Sequence, residues 1–148
     1  YIQWAVPDER AVGWAALSAG LGQPGNTVLD GHHNVFGEVF RYLSDVSIGD
    51  EIVLYSGANE FRYQVIDKYI VPEVGQPLEV RKKNAEYVLP TRDERVTLIS
   101  CWPYYSNTHR VIVIAAPQGQ SAPPTPSRTP TPTTGDSRAP NVPTLPSP

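Results

Sequence analysis

Arg95-Val96-Thr97-Leu98-Ile99-Ser100-Cys101-Trp102-Pro103 is the stretch from which the rest of this 148-residue chain can be read. From Arg95 to Cys101 it is β-branched and apolar with a period of two, which is the pattern of a strand. Pro103 has no N–H to give to a ladder, so the strand is expected to stop near Cys101. A second strand is expected from Arg110 to Ala116, after the polar link Ser106-Asn107-Thr108. If the two pair as a hairpin, Cys101 and Arg110 come to the same edge of the sheet. Cys101 is the only cysteine of the chain. A thiol beside a guanidinium is biased towards thiolate, and the guanidinium can hold an oxyanion.

Each of these residues also has a plainer reading. A lone cysteine commonly serves as a small buried hydrophobe. Arg110 could simply pair with a carboxylate at the rim of the sheet. Upstream, a strand read over Asn26 to Leu29 leads into Asp30-Gly31-His32-His33-Asn34. Either histidine there could be an ordinary hydrogen-bonded loop residue, and His109, beside Arg110, reads as surface.

Taken together, Thr97-Leu98-Ile99-Ser100-Cys101 with Arg110 opening a later hydrophobic strand resembles the signature of the sortases, of the class D/E-like kind. Gly25 to Asn34 is similar to the segment in which sortases carry a histidine directly after a glycine, which selects His32. The likeness covers about residues 13 to 116, with Ser100 standing where the family usually has threonine. It implies a mostly β fold, a closed barrel of about eight strands with short helices in the connections. It further implies a cysteine transpeptidase that cleaves a C-terminal sorting signal of the Leu-Pro-x-Thr-Gly kind through a thioester. The protein would then pass to an amine of the cell wall or of a pilin. In that scheme Cys101 is the nucleophile, His32 the general acid and base, and Arg110 the oxyanion donor. Ser100 and Thr97 are expected at the substrate, and no metal or organic cofactor is implied. The location implied is the extracytoplasmic face of a bacterial envelope, through a membrane anchor outside this sequence.

Composition bounds the alternatives. Residues 117 to 148 hold only Arg128, Asp136 and Arg138 as charges; taking that +1 from the total of −3 leaves −4 over residues 1 to 116. Such a body has no basic footprint for nucleic acid. One cysteine excludes an internal disulfide and the usual cysteine-rich zinc site. No run of about 18 apolar residues is present to span a bilayer. The chain has no methionine and opens within a strand-like run, Tyr1 to Val6, so it reads as a fragment or processed piece. The sortase resemblance implies an opening strand before this point, without which the barrel would be incomplete. Two rival functions remain: an inactive sortase-like domain that only binds peptide, and a metal module using His32, His33, Cys101 and His109.

Along the chain, Trp4 and Trp14 read as apolar anchors of a Gly/Ala/Pro-rich opening. Phe36, Val39, Phe40 and Leu43 recur at helical spacing and predict one short amphipathic helix over residues 35–43. Ser47 to Asp50 reads as a turn, Glu51 to Tyr55 as a strand, and Gly57-Ala58-Asn59 as a hairpin turn. In the next strand, Phe61 to Val71, residues Phe61, Tyr63, Val65, Tyr69 and Val71 are expected on one face, with Asp67 the exception. Residues 73–94 read as a charged connection in which Arg81-Lys82-Lys83 is a solvated run. The catalytic domain is placed at residues 1–116. From Pro117 onwards 20 of 32 residues are Pro, Ser or Thr and none is aromatic, which predicts a disordered tail over 117–148.

Overall fold

The computed structural model describes residues 6–119, so the tail beyond Gly119, Trp4 and all of the opening strand but Val6 lie outside it. Six strands form one sheet: β1 (Gly13–Trp14), β2 (Asn26–Asp30), β3 (Glu51–Ser56), β4 (Asn59–Pro72), β5 (Arg95–Trp102) and β6 (His109–Pro117). Their spatial order is β1-β2-β5-β6-β4-β3, with β2 and β5 parallel and every other pair antiparallel. A single α-helix, α1 (Leu78–Ala85), lies between β4 and β5.

The pairing expected from the sequence is present: β5 and β6 form a hairpin in which Cys101 lies opposite Arg110. Both strands are buried along nearly their whole length. Covering on both faces explains why Val111 to Ala116 is a continuous apolar run and not an alternating one. On the inner face Val96, Leu98, Val111, Val113 and Ala115 build the main core with Tyr63, Val65 and Leu43. Leu21 and Leu29 from one end of the sheet and Ile52, Leu54 and Phe61 from the other pack on this same core. The sheet is therefore curled into a half-barrel, and the Gly22 N–H donates to Tyr63 Oη across the gap at 3.2 Å. The mostly β, barrel-like architecture stands, with six strands among the described residues in place of about eight.

Three local expectations are corrected. Residues 35–43 form turns, not an α-helix, and only Leu43–Asp45 makes a 3₁₀ turn. Phe36, Gly37 and Glu38 have φ of 49°, 87° and 52°, a left-handed run that no α-helix contains. Phe40 and Leu43 still reach the core while Phe36 is exposed, so the apolar spacing reported burial in part and conformation wrongly. Second, β4 carries a bulge between Val65 and Asp67. The extra residue reverses the alternation: Tyr63 and Val65 face inward, whereas Asp67, Tyr69 and Val71 sit opposite Ile114, Ile112 and Arg110 on the outer face. Tyr69 there meets the Tyr87 ring at 4.8 Å. Lys68 takes the inner side, and its Nζ donates to the carbonyls of Ser44 and Val46. Third, Trp14 is not a buried anchor but 55% exposed.

The connection over 73–94 holds the helix that the sequence did not announce. None of the residues of α1 is buried, so no apolar stripe marked it. Pro77 precedes its first residue, and Arg81, Lys82 and Lys83 are exposed along it as expected for a solvated run.

Candidate active site

The outer face of the sheet carries the groups of interest. Cys101 and Arg110 pair across β5 and β6, and Ile99, two residues back on the same face, pairs with Ile112 and lies beside Asp30 of β2. A hollow of about 190 Å³ opens here, bounded by Asp30, Ile99, Arg110, Glu73, Arg81 and Val88. Val88 also borders a larger, apolar hollow of about 660 Å³ between residues 15–19 and the 88–91 segment. Val88 lines both hollows; the larger is an apolar groove, and the smaller is bordered by Arg110, the cross-strand partner of Cys101.

Cys101 is half-buried. Burial pushes its thiol above the ordinary range, the Arg110 guanidinium pulls it partly back, and Asp30 adds to the rise. The net direction is upward, so the thiolate bias expected from Arg110 alone is present but outweighed by desolvation. Arg110 Nη1 donates to the carbonyls of Asn107 (3.4 Å) and His109 (3.2 Å). Glu73 contributes at longer range. Burial alone would raise the Glu73 carboxyl, but the Asn84 amide and Arg81 bring it below its usual value, with Arg110 adding to the fall.

The two hydroxyls of the motif are turned to support. Thr97 Oγ1 donates to Asn26 Oδ1 at 2.7 Å, and Asn26 Nδ2 in turn donates to the carbonyls of Tyr87 and Leu89. Thr97 thereby fixes the wall of the groove. Ser100, 1% exposed, donates to the Gly31 carbonyl at 2.7 Å, directly before the histidines. Both hydroxyls are buried and bonded within the protein.

The histidine segment leaves β2 as an irregular loop. Gly31 donates to Ile99 O, and a Cβ at position 31 would come within 2.7 Å of the Phe40 ring, so the turn requires glycine. His32 is partly exposed with its ring 5.0 Å from Phe36. His33 is 5% exposed and meets Tyr104 edge-on at 5.4 Å. It is thus buried in the loop. Neither imidazole is hydrogen-bonded to Cys101 or Arg110. Among the described residues, no group of three or more His, Cys, Asp and Glu is arranged to hold a metal, so His32, His33, Cys101 and His109 do not gather. His109 makes an edge contact with Trp102 and shares a hydrogen bond with Thr108 Oγ1. Asp30, Glu73 and Asn107 were missed in the sequence; their relation to Cys101 and Arg110 depends on strand register and the β4–β5 connection.

Comparison with known proteins gives one answer. The model of the sortase domain matches residues 2–118. Sortase SrtE1 of Streptomyces coelicolor is 33% identical over 114 residues, which is 76% of this chain and 28% of that protein. The crystal structure of sortase C-1 from Actinomyces oris is similar with a TM-score of 0.62 at 25% identity, over 74% of this chain and 59% of that one. A lid mutant of sortase A from Corynebacterium diphtheriae is similar with a TM-score of 0.59 at 25% identity, over 75% and 57% of the two chains. The chain thus spans little more than a quarter of its Streptomyces relative.

Proposed function

This chain belongs to the sortase family, and on that premise we propose that it is a cysteine transpeptidase acting on secreted proteins with a C-terminal sorting signal. The observation that carries the reading is Cys101 paired with Arg110 across β5 and β6, with a hollow on the same face bordered by Arg110 and Ile99. The signal is of the Leu-Pro-x-Thr-Gly kind, and the acceptor is an amine of the cell wall or a pilin subunit. The site of action is the outer face of a bacterial envelope.

In the forward half-reaction the Cys101 thiolate adds to the carbonyl before the scissile bond, and Arg110 donates to the oxyanion that forms. Collapse expels the amine, which takes a proton from the His32 imidazolium, and a thioester remains. An incoming amine then attacks the thioester and gives its extra proton to His32, and the thiolate leaves. Because desolvation holds the thiol up, the thiolate is a minor species at neutral pH, but a thiolate of raised basicity is intrinsically the stronger nucleophile.

Cleavage of a fluorogenic sorting-signal peptide by the purified protein, compared with Cys101→Ala, tests the reading. Turnover is expected to vanish in the variant with its melting temperature retained. Turnover that survives the loss of the thiol ends it.

A further inference from the structure

The sheet fixes the backbones of Cys101 and Arg110, and the His109 carbonyl of β6 accepts from Arg110 Nη1 at 3.2 Å. A second anchor for that side chain and a hold on the histidine loop, which has no ladder of its own, come from outside the sheet. Both tasks meet at Asn107, in the link between β5 and β6. Its backbone sits at φ 53°, a left-handed conformation that asparagine tolerates better than most residues. The carbonyl so presented accepts from Arg110 Nη1, while the Asn107 N–H donates to Pro103 O. The side chain faces the other loop: Asn107 Nδ2 donates to Asn34 Oδ1 at 3.4 Å, and Asn34 Nδ2 donates to the Tyr104 carbonyl. Asn34 lies two residues after His32.

One atom argues that this amide is not there for stability. Asn107 Oδ1 is buried with no hydrogen-bond partner. An orphaned buried acceptor is a net cost to the folded state, and a smaller apolar side chain would avoid it. Resting on the transpeptidase reading of the same site, we infer that Asn107 is a positioning residue: its carbonyl aims Arg110, and its amide, through Asn34, sets the histidine loop in register with the Cys101–Arg110 pair.

Three variants separate the two halves of this role. Asn107→Gly keeps the positive φ and the carbonyl but removes the amide, Asn107→Ala disfavours both, and Asn34→Ala cuts the bridge from the far side. Asn107→Ala is expected to lower kcat for a sorting-signal peptide roughly ten- to a hundredfold, the scale of a small misplacement of reacting groups, with KM and melting temperature little changed. Asn34→Ala and Asn107→Gly should each cost less, and their combination no more than the worse of the two, because they break one bridge. A second readout needs no turnover. Arg110 and Asp30 are the charged groups acting on the thiol, so the pH profile of Cys101 alkylation by iodoacetamide should move upward in Asn107→Ala. It should not move further when that change is made in an Arg110→Ala background. Wild-type kcat and an unmoved alkylation profile in Asn107→Ala overturn the inference, as does a kcat loss matched by a fall in melting temperature. If no peptide is turned over by the wild type, the transpeptidase reading falls, and the alkylation series still decides whether Asn107 aims Arg110.

Discussion

At Cys101 three influences compete, and their signs make the residue testable without any substrate. Burial raises the thiol, Arg110 lowers it and Asp30 raises it. Removing the positive neighbour should move the alkylation profile to higher pH, and removing the negative one to lower pH. Arg110→Ala and Asp30→Asn are therefore expected to shift it in opposite directions. A common direction would mean that neither charge acts on the sulfur. The histidines make a second test. His32 stands partly exposed at the turn that Gly31 permits, whereas His33 is buried against Tyr104. His32→Ala should lower peptide cleavage by roughly a hundredfold or more, as loss of a general acid and base does. His33→Ala should keep kcat within a few-fold but cost about 1 kcal/mol of stability through the lost ring contact, read by urea denaturation. A dead His33→Ala beside an active His32→Ala would shift the assignment by one residue. The Gly-His step was read in the sequence only through the family resemblance; the structure adds that position 31 has no room for a Cβ against Phe40.

The curl of the sheet rests on element-to-element contacts, and Tyr63 is the clearest of them. It is 1% exposed on β4, accepts from Gly22 of the β1–β2 connection and donates to Glu94 just before β5 at 2.9 Å. Tyr63→Phe keeps the ring but orphans the partners, which should cost about 1–3 kcal/mol in denaturant unfolding. The Tyr63 hydroxyl is pushed up to about 12, chiefly by burial, with the Gly22 N–H opposing and Glu94 adding to the rise. A tyrosine whose folded value exceeds its unfolded value of about 10 favours the folded state fully below pH 10. That contribution is lost as the pH climbs from 10 towards 12. Alkaline unfolding of the wild type should therefore steepen in that window, and Tyr63→Phe should flatten it. The same strand shows why pattern alone misplaced a face. A bulge adds one residue, and with a side-chain period of two every position beyond it changes sides. Asp67 looked like an exception because the strand had already turned over.

For the whole molecule, the contacts of residues 117 and 118 bear on where a truncation can be made. β6 runs through Pro117, and Gln118 still bonds to the sheet, its N–H to Arg62 O and its side chain to Glu51. We therefore expect truncation after Gly119 to leave the melting temperature within a few degrees and peptide cleavage unchanged. Truncation before Pro117 should be measurably destabilising. Differential scanning fluorimetry on the two pieces checks this: equal losses would place the boundary elsewhere, and a large loss from the first would mean that residues 120–148 support the fold.

What the sequence determined by itself was the hairpin of β5 and β6 and the meeting of Cys101 with Arg110. Both follow from short-range rules: β-branched alternation, a proline that ends a ladder, and a polar link of the right length. The segment carrying His32 was picked out by its resemblance to the sortases and not by such rules. The tertiary structure alone decided the rest. It set the thiol above its usual range because desolvation is a property of what surrounds Cys101, and no neighbour in sequence reports it. It buried the Thr97 and Ser100 hydroxyls on opposite faces of β5, bonded to Asn26 and Gly31, and the sequence does not report these partners because they lie about 70 residues away in the chain. And it replaced a helix by a left-handed turn at Phe36 to Glu38, because that loop must lay Phe40 on the core while keeping the histidines beside the sheet.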